Sequence, residues 1–278
     1  MSARLDGRVA LVSGAARGQG RSHCVHLAEA GADLVAFDVC APVTDDAWYP
    51  PATPEDLQET ARRVEAVGRR IVTTVADVRD AAAVRALVDA GVAELGRLDV
   101  VVANAGIVTP APAVELSEQS WRTMLDVNLT GVWNTVQPAL PHLLARGAGS
   151  IVLISSANGG LKAPPHLAHY AAAKHGLVGL VRSLASELGP RGVRVNSVHP
   201  TAVATALIHN EQTYRLFAPD AASPTAEDAA PAFTAFHSLP VPWIEPADVS
   251  RAVVWLAGDT ARFVTGIALP VDAGLSAR

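Results

Sequence analysis

Tyr170 and Lys174 stand four residues apart in "HYAAAKHG", residues 169–176 of a 278-residue chain. Nearly every other cation is an arginine: of the 22 basic residues only Lys162 and Lys174 are lysines. On a helix, residues four apart share a face, so this spacing brings an ammonium towards a phenol. A free phenol, with a pKa of about 10, is a poor base at neutral pH, but a neighbouring cation favours the phenolate and lowers that value. Arginine would supply charge too. A compact ammonium, however, places its donors freely and suits ribose hydroxyls, whereas a planar fork suits carboxylates and phosphates. The pair therefore has the makings of an acid and base beside a nucleotide.

Two more polar positions join it. "LISSAN" puts Ser155 and Ser156 at the end of an apolar run, where a hydroxyl can hydrogen-bond a substrate oxygen. Asn128, in "MLDVNLTGVW", lies mid-helix, where asparagine is mildly unfavourable and marks a bend or a bound water. Taken singly, each has a plain structural reading: a core tyrosine, a capping serine, an exposed asparagine.

The elements that must position these residues follow from hydrophobic patterning. "RVALVSG", "ADLVAFD", "RIVTTVAD", "LDVVVANAG", "SIVLISS", "VRVNSVHP" and "GIALPVD" read as strands, with helix-length amphipathic stretches between them. Runs that are apolar almost throughout are buried on both faces, as in a parallel sheet covered by helices. The expected fold is α/β, a Rossmann-like doubly wound parallel sheet of about seven strands, in one domain over residues 1–278. Tyr170 begins a helix continuing to Leu188. Two segments interrupt the rhythm: the proline-rich insertion 39–54, and a loop region at about 202–245.

After the first strand, Gly14, Gly18 and Gly20 are spaced GxxxGxG at the entry to a helix, with Arg17 and Gln19 among them. Such a turn lets backbone N–H groups approach a pyrophosphate at the helix's positive end. The second strand ends in Asp38, whose carboxylate can accept from ribose hydroxyls and would repel a 2′-phosphate. NAD is therefore expected, although Arg17 in the turn could serve NADP. Asp77 and Val78 end the third strand, where they could bracket an adenine; Asn104, Ala105 and Gly106 end the fourth. All of these strand ends open on one crevice.

Composition narrows the classes. A net charge of -5 and few aromatics give no basic stripe for nucleic acid. Cys24 and Cys40 cannot build a disulfide framework, and the start "MSARLDGRVALVSG" lacks the apolar stretch of a signal peptide. No apolar run approaches the roughly 20 residues of a membrane span. A cytoplasmic protein is expected. His166 and His169 lack a carboxylate or cysteine set at ligand spacing, so no metal site is expected. With 50% hydrophobic and only 18% charged residues, part of the exterior is apolar enough for neighbouring subunits to cover.

With these residues in place the chain resembles a short-chain dehydrogenase/reductase of the single-domain kind, from "LDGRVALVSGAARGQG" through "NAG", "N", "SS" and "YAAAK" to "PVDAG". The resemblance implies that Asn128, Ser156, Tyr170 and Lys174 are catalytic, that Tyr170 and Lys174 also touch NAD, and that the protein is a homotetramer. Pro200, Val203 and Thr205 match family cofactor positions in "HPTAVAT", where Thr201 replaces the usual glycine. The insertion is similar to that of the mycofactocin-coupled subgroup, which includes carveol-dehydrogenase-like proteins; members are thought to hold NAD without free exchange, which implies a redox partner for NADH reoxidation. The expected substrate is a secondary alcohol or its ketone, of a terpene-like or other cyclic kind. Ile208, Tyr214, Leu216, Phe217, Phe233, Phe236 and Trp243 either line a pocket for it or pack the loop onto the core. The competing readings are an NADP-dependent ketoreductase and a non-catalytic nucleotide sensor.

Overall fold

Seven strands pair side by side, all in parallel, in the order β3-β2-β1-β4-β5-β6-β7. They are β1 (Val9–Ser13), β2 (Asp33–Asp38), β3 (Ile71–Val75), β4 (Val100–Ala103), β5 (Gly149–Ile154), β6 (Val193–Pro200) and β7 (Ala268–Val271). The computed structural model describes residues 4–278. Residues 1–3, part of the start read above for a signal peptide, lie outside the described residues. Each of the seven apolar runs of the sequence forms a strand.

Successive side chains of a strand face opposite ways, and the core divides accordingly. Val9 and Leu11 of β1 and Ile151 and Leu153 of β5 pack under α3 (Ala81–Leu95), α5 (Gly131–Val136) and α8 (Ala168–Leu188), against Leu87, Val132, Leu177 and Val181. Ala10, Val12, Val152 and Ile154 face α1 (Gly18–Glu29), α2 (Pro54–Ala66) and α11 (Pro246–Ala257), against Leu27, Leu57, Val253 and Leu256. The inner strands are buried on both faces, as expected. The edge strands β3 and β7 depart from that pattern, with most positions only partly covered and Val75 56% exposed. Each has a neighbour on one side only, which explains why polar Thr73 and Thr74 are tolerated in β3.

The strand order reverses between β1 and β4, so the loops leaving these two strands part and open a crevice. Helix starts around it differ. Thr53 and Asp56 cap α2 reciprocally, and Asp80 caps α3, whereas α1 begins at Arg17 without any side-chain cap. Its first-turn N–H groups are left for something else.

The two interrupting segments behave differently. Residues 39–52 form neither helix nor strand, whereas the second segment contains α9 (Glu211–Phe217) and α10 (Ala226–Phe236). Its aromatics pack on one another: Phe217 lies 4.1 Å from Phe233 and 5.9 Å from Phe236, and Phe233 lies 5.9 Å from Trp243. Phe217, Phe233, Phe236 and Trp243 thus pack as one cluster. Thr201 finds a use too: its Oγ1 lies 2.6 Å from His237 Nε2, while His237 Nδ1 lies 2.6 Å from the Val241 carbonyl. The hydroxyl that replaces the expected glycine fastens the end of α10 to β6.

Candidate active site

The glycine turn is shaped by close approach. Gly14 has φ +66°, a conformation that favours glycine, and a Cβ there would lie 2.8 Å from Ala105 Cα. At Gly20 a Cβ would stand 1.9 Å from the Gly14 carbonyl oxygen. Gly20→Ala is therefore expected to force the turn open, to abolish NADH binding in a fluorescence titration, and to destabilise the protein by about 1–3 kcal/mol, the usual cost of overpacking.

Three side chains brace this turn. Ser13 Oγ accepts from Asn104 N at 3.1 Å and Ala105 N at 3.2 Å. Asn104 Nδ2 donates to the carbonyls of Ser13 and Gly14 at 3.0 and 3.2 Å, so its amide ties β4 to the glycine turn. Asp38 accepts from Ala16 N at 3.0 Å and from Cys40 N at 3.2 Å, which seats its carboxylate against the same turn.

The crevice is a cavity of about 650 Å³, and Gly14, Arg17, Gly18, Gln19, Gly20, Asp38, Asp77, Val78, Asn104, Ala105, Gly106 and Thr205 all line it. Gln19 Oε1 is buried with no partner from the protein. That orphaned acceptor, the uncapped start of α1 and the glycine-lined floor fit a dinucleotide. Asp77 is bound at 2.9 Å by Arg79 Nε; burial would raise its carboxyl, but the Arg79 bonds outweigh it and hold the group below the usual range. Pro200 and Val203 do not line the cavity. Pro200 closes β6, and Val203 is buried and bridges to Ile244. Thr205 faces Gly18 across the cavity mouth and caps no helix.

The insertion crosses this cavity, contributing Trp48, Tyr49, Pro50 and Pro51 to its walls. Arg17 donates to the Pro50 carbonyl and places its guanidinium 5.7 Å from the Tyr49 ring centre. The residue that raised the NADP alternative is thus engaged by the insertion. Asp46 accepts from Ser120 Oγ at 3.1 Å, anchoring the far side to α4 (Glu118–Leu125).

Beside the cavity the four candidate residues Asn128, Ser156, Tyr170 and Lys174 meet. A Cβ on Gly106 would lie 2.8 Å from Asn128 Oδ1 and 3.4 Å from Lys174 Nζ, and one on Gly159 would lie 2.5 Å from the Tyr170 ring. Asn128 sits in a π-helical turn, Asp126–Thr130, between α4 and α5, the distortion that a mid-helix asparagine marks. Its Nδ2 donates to the carbonyls of Ile107 and Met124 at 3.0 and 3.1 Å, and its Oδ1 accepts from Ile107 N at 3.2 Å. Only a lone pair on Oδ1 is left for a water. Ser156 begins α7 (Ala157–Gly160) with its hydroxyl free of any capping bond, whereas Ser155 Oγ donates to the Lys174 carbonyl at 3.1 Å.

The acidity of the pair runs against the sequence expectation. Lys174 Nζ donates to the Ile154 carbonyl at 2.9 Å and lies 5.8 Å from the Tyr170 ring centre. Tyr170 is partly open to the cleft by area, yet its phenol is hemmed in closely enough that burial pushes it up to about 12; Ser156 opposes this and Tyr49 adds to it. Burial also pulls Lys174 down to about 8. Desolvation disfavours the charged form of each group, so within the protein alone it outweighs the expected attraction. Ser156, and not Lys174, is the neighbour that favours phenolate. His169 is buried with neither ring nitrogen paired, and His166 lies exposed before α8; among the described residues no cluster could hold a metal ion.

Sequence reasoning did not find Ser13 or Tyr49. Ser13 is an ordinary strand-end serine until β4 is placed beside it, and Tyr49 gains its position only through Arg17. The family model for short chain dehydrogenases matches residues 8–215, and the chain belongs to that family of oxidoreductases. It is 51% identical over 273 residues to (-)-trans-carveol dehydrogenase of Rhodococcus erythropolis, covering 98% of each chain. The crystal structure of carveol dehydrogenase from Mycobacterium avium in complex with NAD superposes with a TM-score of 0.97 at 52% identity, over 100% of both chains. A short chain dehydrogenase from Mycobacterium paratuberculosis, bound to NAD, gives 0.89 at 42% identity, over 99% of this chain and 100% of that one.

Proposed function

We propose that this protein is an NAD-dependent oxidoreductase that interconverts a secondary alcohol and its ketone, with cyclic, terpene-like alcohols of the carveol kind as its substrate class. The observation that carries this reading is the convergence of Asn128, Lys174 and Gly106 at the wall of the dinucleotide cavity, next to Tyr170 and Ser156. Asn128, Ser156, Tyr170 and Lys174 are assigned as the catalytic set. NAD supplies the hydride acceptor, carbon 4 of its nicotinamide. Ser156 and Tyr170 hold the substrate oxygen. Tyr170 takes the hydroxyl proton in oxidation and returns one in reduction, Lys174 steadies the ribose, and Ser156 is the neighbour that favours the phenolate. Asn128 Oδ1 orients a water that passes the proton outward.

Gly14, Gly18, Gly20 and Gln19 form the pyrophosphate cradle, Asp38 faces the adenosine ribose, Asp77 and Val78 flank the adenine, and Thr205 closes the nicotinamide end. Paired titrations test the cofactor assignment. NADH is expected to bind at least about 100-fold more tightly than NADPH, since a phosphate placed beside the Asp38 carboxylate costs several kcal/mol. Equal affinities would refute it.

The insertion supports a slow release of the dinucleotide, because Arg17 fastens it across the cavity and its prolines limit its freedom. Removing residues 42–53 is expected to speed NADH dissociation in a stopped-flow chase; an unchanged rate excludes the idea. A cofactor held this way needs a redox partner for reoxidation, as in mycofactocin-coupled enzymes. Trp121, Trp133, Trp255 and Phe263 are exposed on outer surfaces of α4, α5, α11 and the turn that follows, which favours burial between subunits of a cytoplasmic homotetramer. The deciding experiment is mass spectrometry for co-purifying nucleotide, followed by a panel of alcohols assayed with an artificial electron acceptor alongside free NAD. A protein that carries no nucleotide and oxidises no alcohol overturns the reading.

A further inference from the structure

Behind Ser156 stands a fully buried imidazole that the mechanism above leaves idle. His199, next to last in β6, has Nδ1 3.1 Å from the Ser156 carbonyl oxygen and Nε2 2.8 Å from Ser197 Oγ. A carbonyl oxygen only accepts, so the nitrogen facing it must carry the proton. Burial pulls His199 down to about 4, so the ring is neutral and holds one proton only. Nε2 is therefore bare, and the Ser197 hydroxyl donates to it. The tautomer is fixed from both sides.

The bond falls on the peptide that matters. Ser156 is extended, at φ -164° and ψ 144°, and its side chain makes no cap bond, so the direction of its hydroxyl depends on how the Ser156–Ala157 peptide is held. The Ser156 carbonyl accepts from Gly160 N at 2.8 Å as well as from His199, which fills both of its lone pairs. The ring is packed against this turn: a Cβ on Gly160 would lie 2.9 Å from both His199 Cε1 and Nδ1. The preceding residue is tied elsewhere, with Ser155 N donating to the Val198 carbonyl at 2.9 Å and Ser155 Oγ to the Lys174 carbonyl at 3.1 Å. Position along the chain is thus set by Ser155; orientation of the next peptide is shared between Gly160 N and His199.

We propose that His199 is a positioning residue of the reaction: its Nδ1–H, held in one tautomer by Ser197, fixes the Ser156 carbonyl and so aims the hydroxyl that holds the substrate oxygen. The inference rests on the assignment of Ser156 made above. It separates two kinds of replacement. His199→Leu fills the volume without a donor, whereas His199→Asn puts an amide N–H near the place of Nδ1 and leaves the Ser156 bond possible.

The test measures kcat and KM for alcohol oxidation, NADH affinity and the thermal midpoint for wild type, His199→Leu, His199→Asn, Ser197→Ala and Tyr170→Phe. His199→Leu is expected to lose roughly 10- to 100-fold in kcat, the scale of a misplaced catalytic group, with NADH affinity near wild type. His199→Asn recovers most of that loss. Ser197→Ala, which keeps the ring but frees its tautomer, falls only severalfold, and it carries the test should His199→Leu fail to fold. Wild-type kcat in a folded His199→Leu protein, an asparagine variant no better than the leucine one, or an unchanged Ser197→Ala protein would overturn the proposal. If wild type is active and Tyr170→Phe is not, such a result defeats this inference alone; a wild type without turnover defeats the functional assignment and this inference with it.

Discussion

Tyr170→Phe is expected to lower kcat by about 10²- to 10⁴-fold, the usual contribution of a proton-transferring side chain, while NADH still binds. The ring stays, so its packing against Gly159 is kept; only the oxygen that handles the proton is lost. Steady-state assays in both directions, with an NADH titration as control, check this, and retained turnover would remove Tyr170 from the mechanism. The pH dependence has a definite sign. Since burial pushes the phenol up to about 12 and Lys174 down to about 8, at neutral pH Tyr170 carries the proton that ketone reduction requires. Reduction should therefore be sustained through neutrality and beyond about pH 8, because the phenol keeps its proton until much higher pH. Oxidation needs the phenol's proton removed and should climb with pH over the same range. An oxidation rate flat between roughly pH 6 and 10 would contradict the assignment of the base.

The second large effect is expected at Lys174→Arg, a replacement that preserves charge. The amine is buried, reaches the Ile154 carbonyl at 2.9 Å, and passes so close to Gly106 that a Cβ there would sit 3.4 Å from Nζ. A guanidinium has five donors in a rigid plane and needs more room than this channel offers. It would push against Gly106 and Asn128, displacing the wall of the cavity proposed to hold the ribose. Turnover is expected to drop at least about 100-fold, the scale on which a misplacement of about 1 Å acts, and NADH affinity should weaken as well. An arginine variant with wild-type kcat would show that the site needs a charge and not an ammonium.

Much of the fold could be read from the chain because the inner strands are nearly unbroken apolar runs, and burial on both faces leaves no other pattern open to them. The edges were harder: β3 carries two adjacent threonines, Thr73 and Thr74, between Val72 and Val75, and only its place in the sheet explains why. At the site, the spacing of Tyr170 and Lys174 on one helix was visible, but the direction of their acidity was not. A sequence shows that a cation is near a phenol; it does not show how little water either one sees. Asn104 was found for the right location, and its task of tying β4 to the glycine turn became evident only when the two strand ends were seen together.

Arg17 has an evolutionary edge. A descendant that adopted the phosphorylated dinucleotide would need this guanidinium to turn towards the extra phosphate, letting go of Pro50 and Tyr49 as it did so. A change of coenzyme at this turn, beside Asp38, would thus also loosen the strap that Arg17 holds across the cavity.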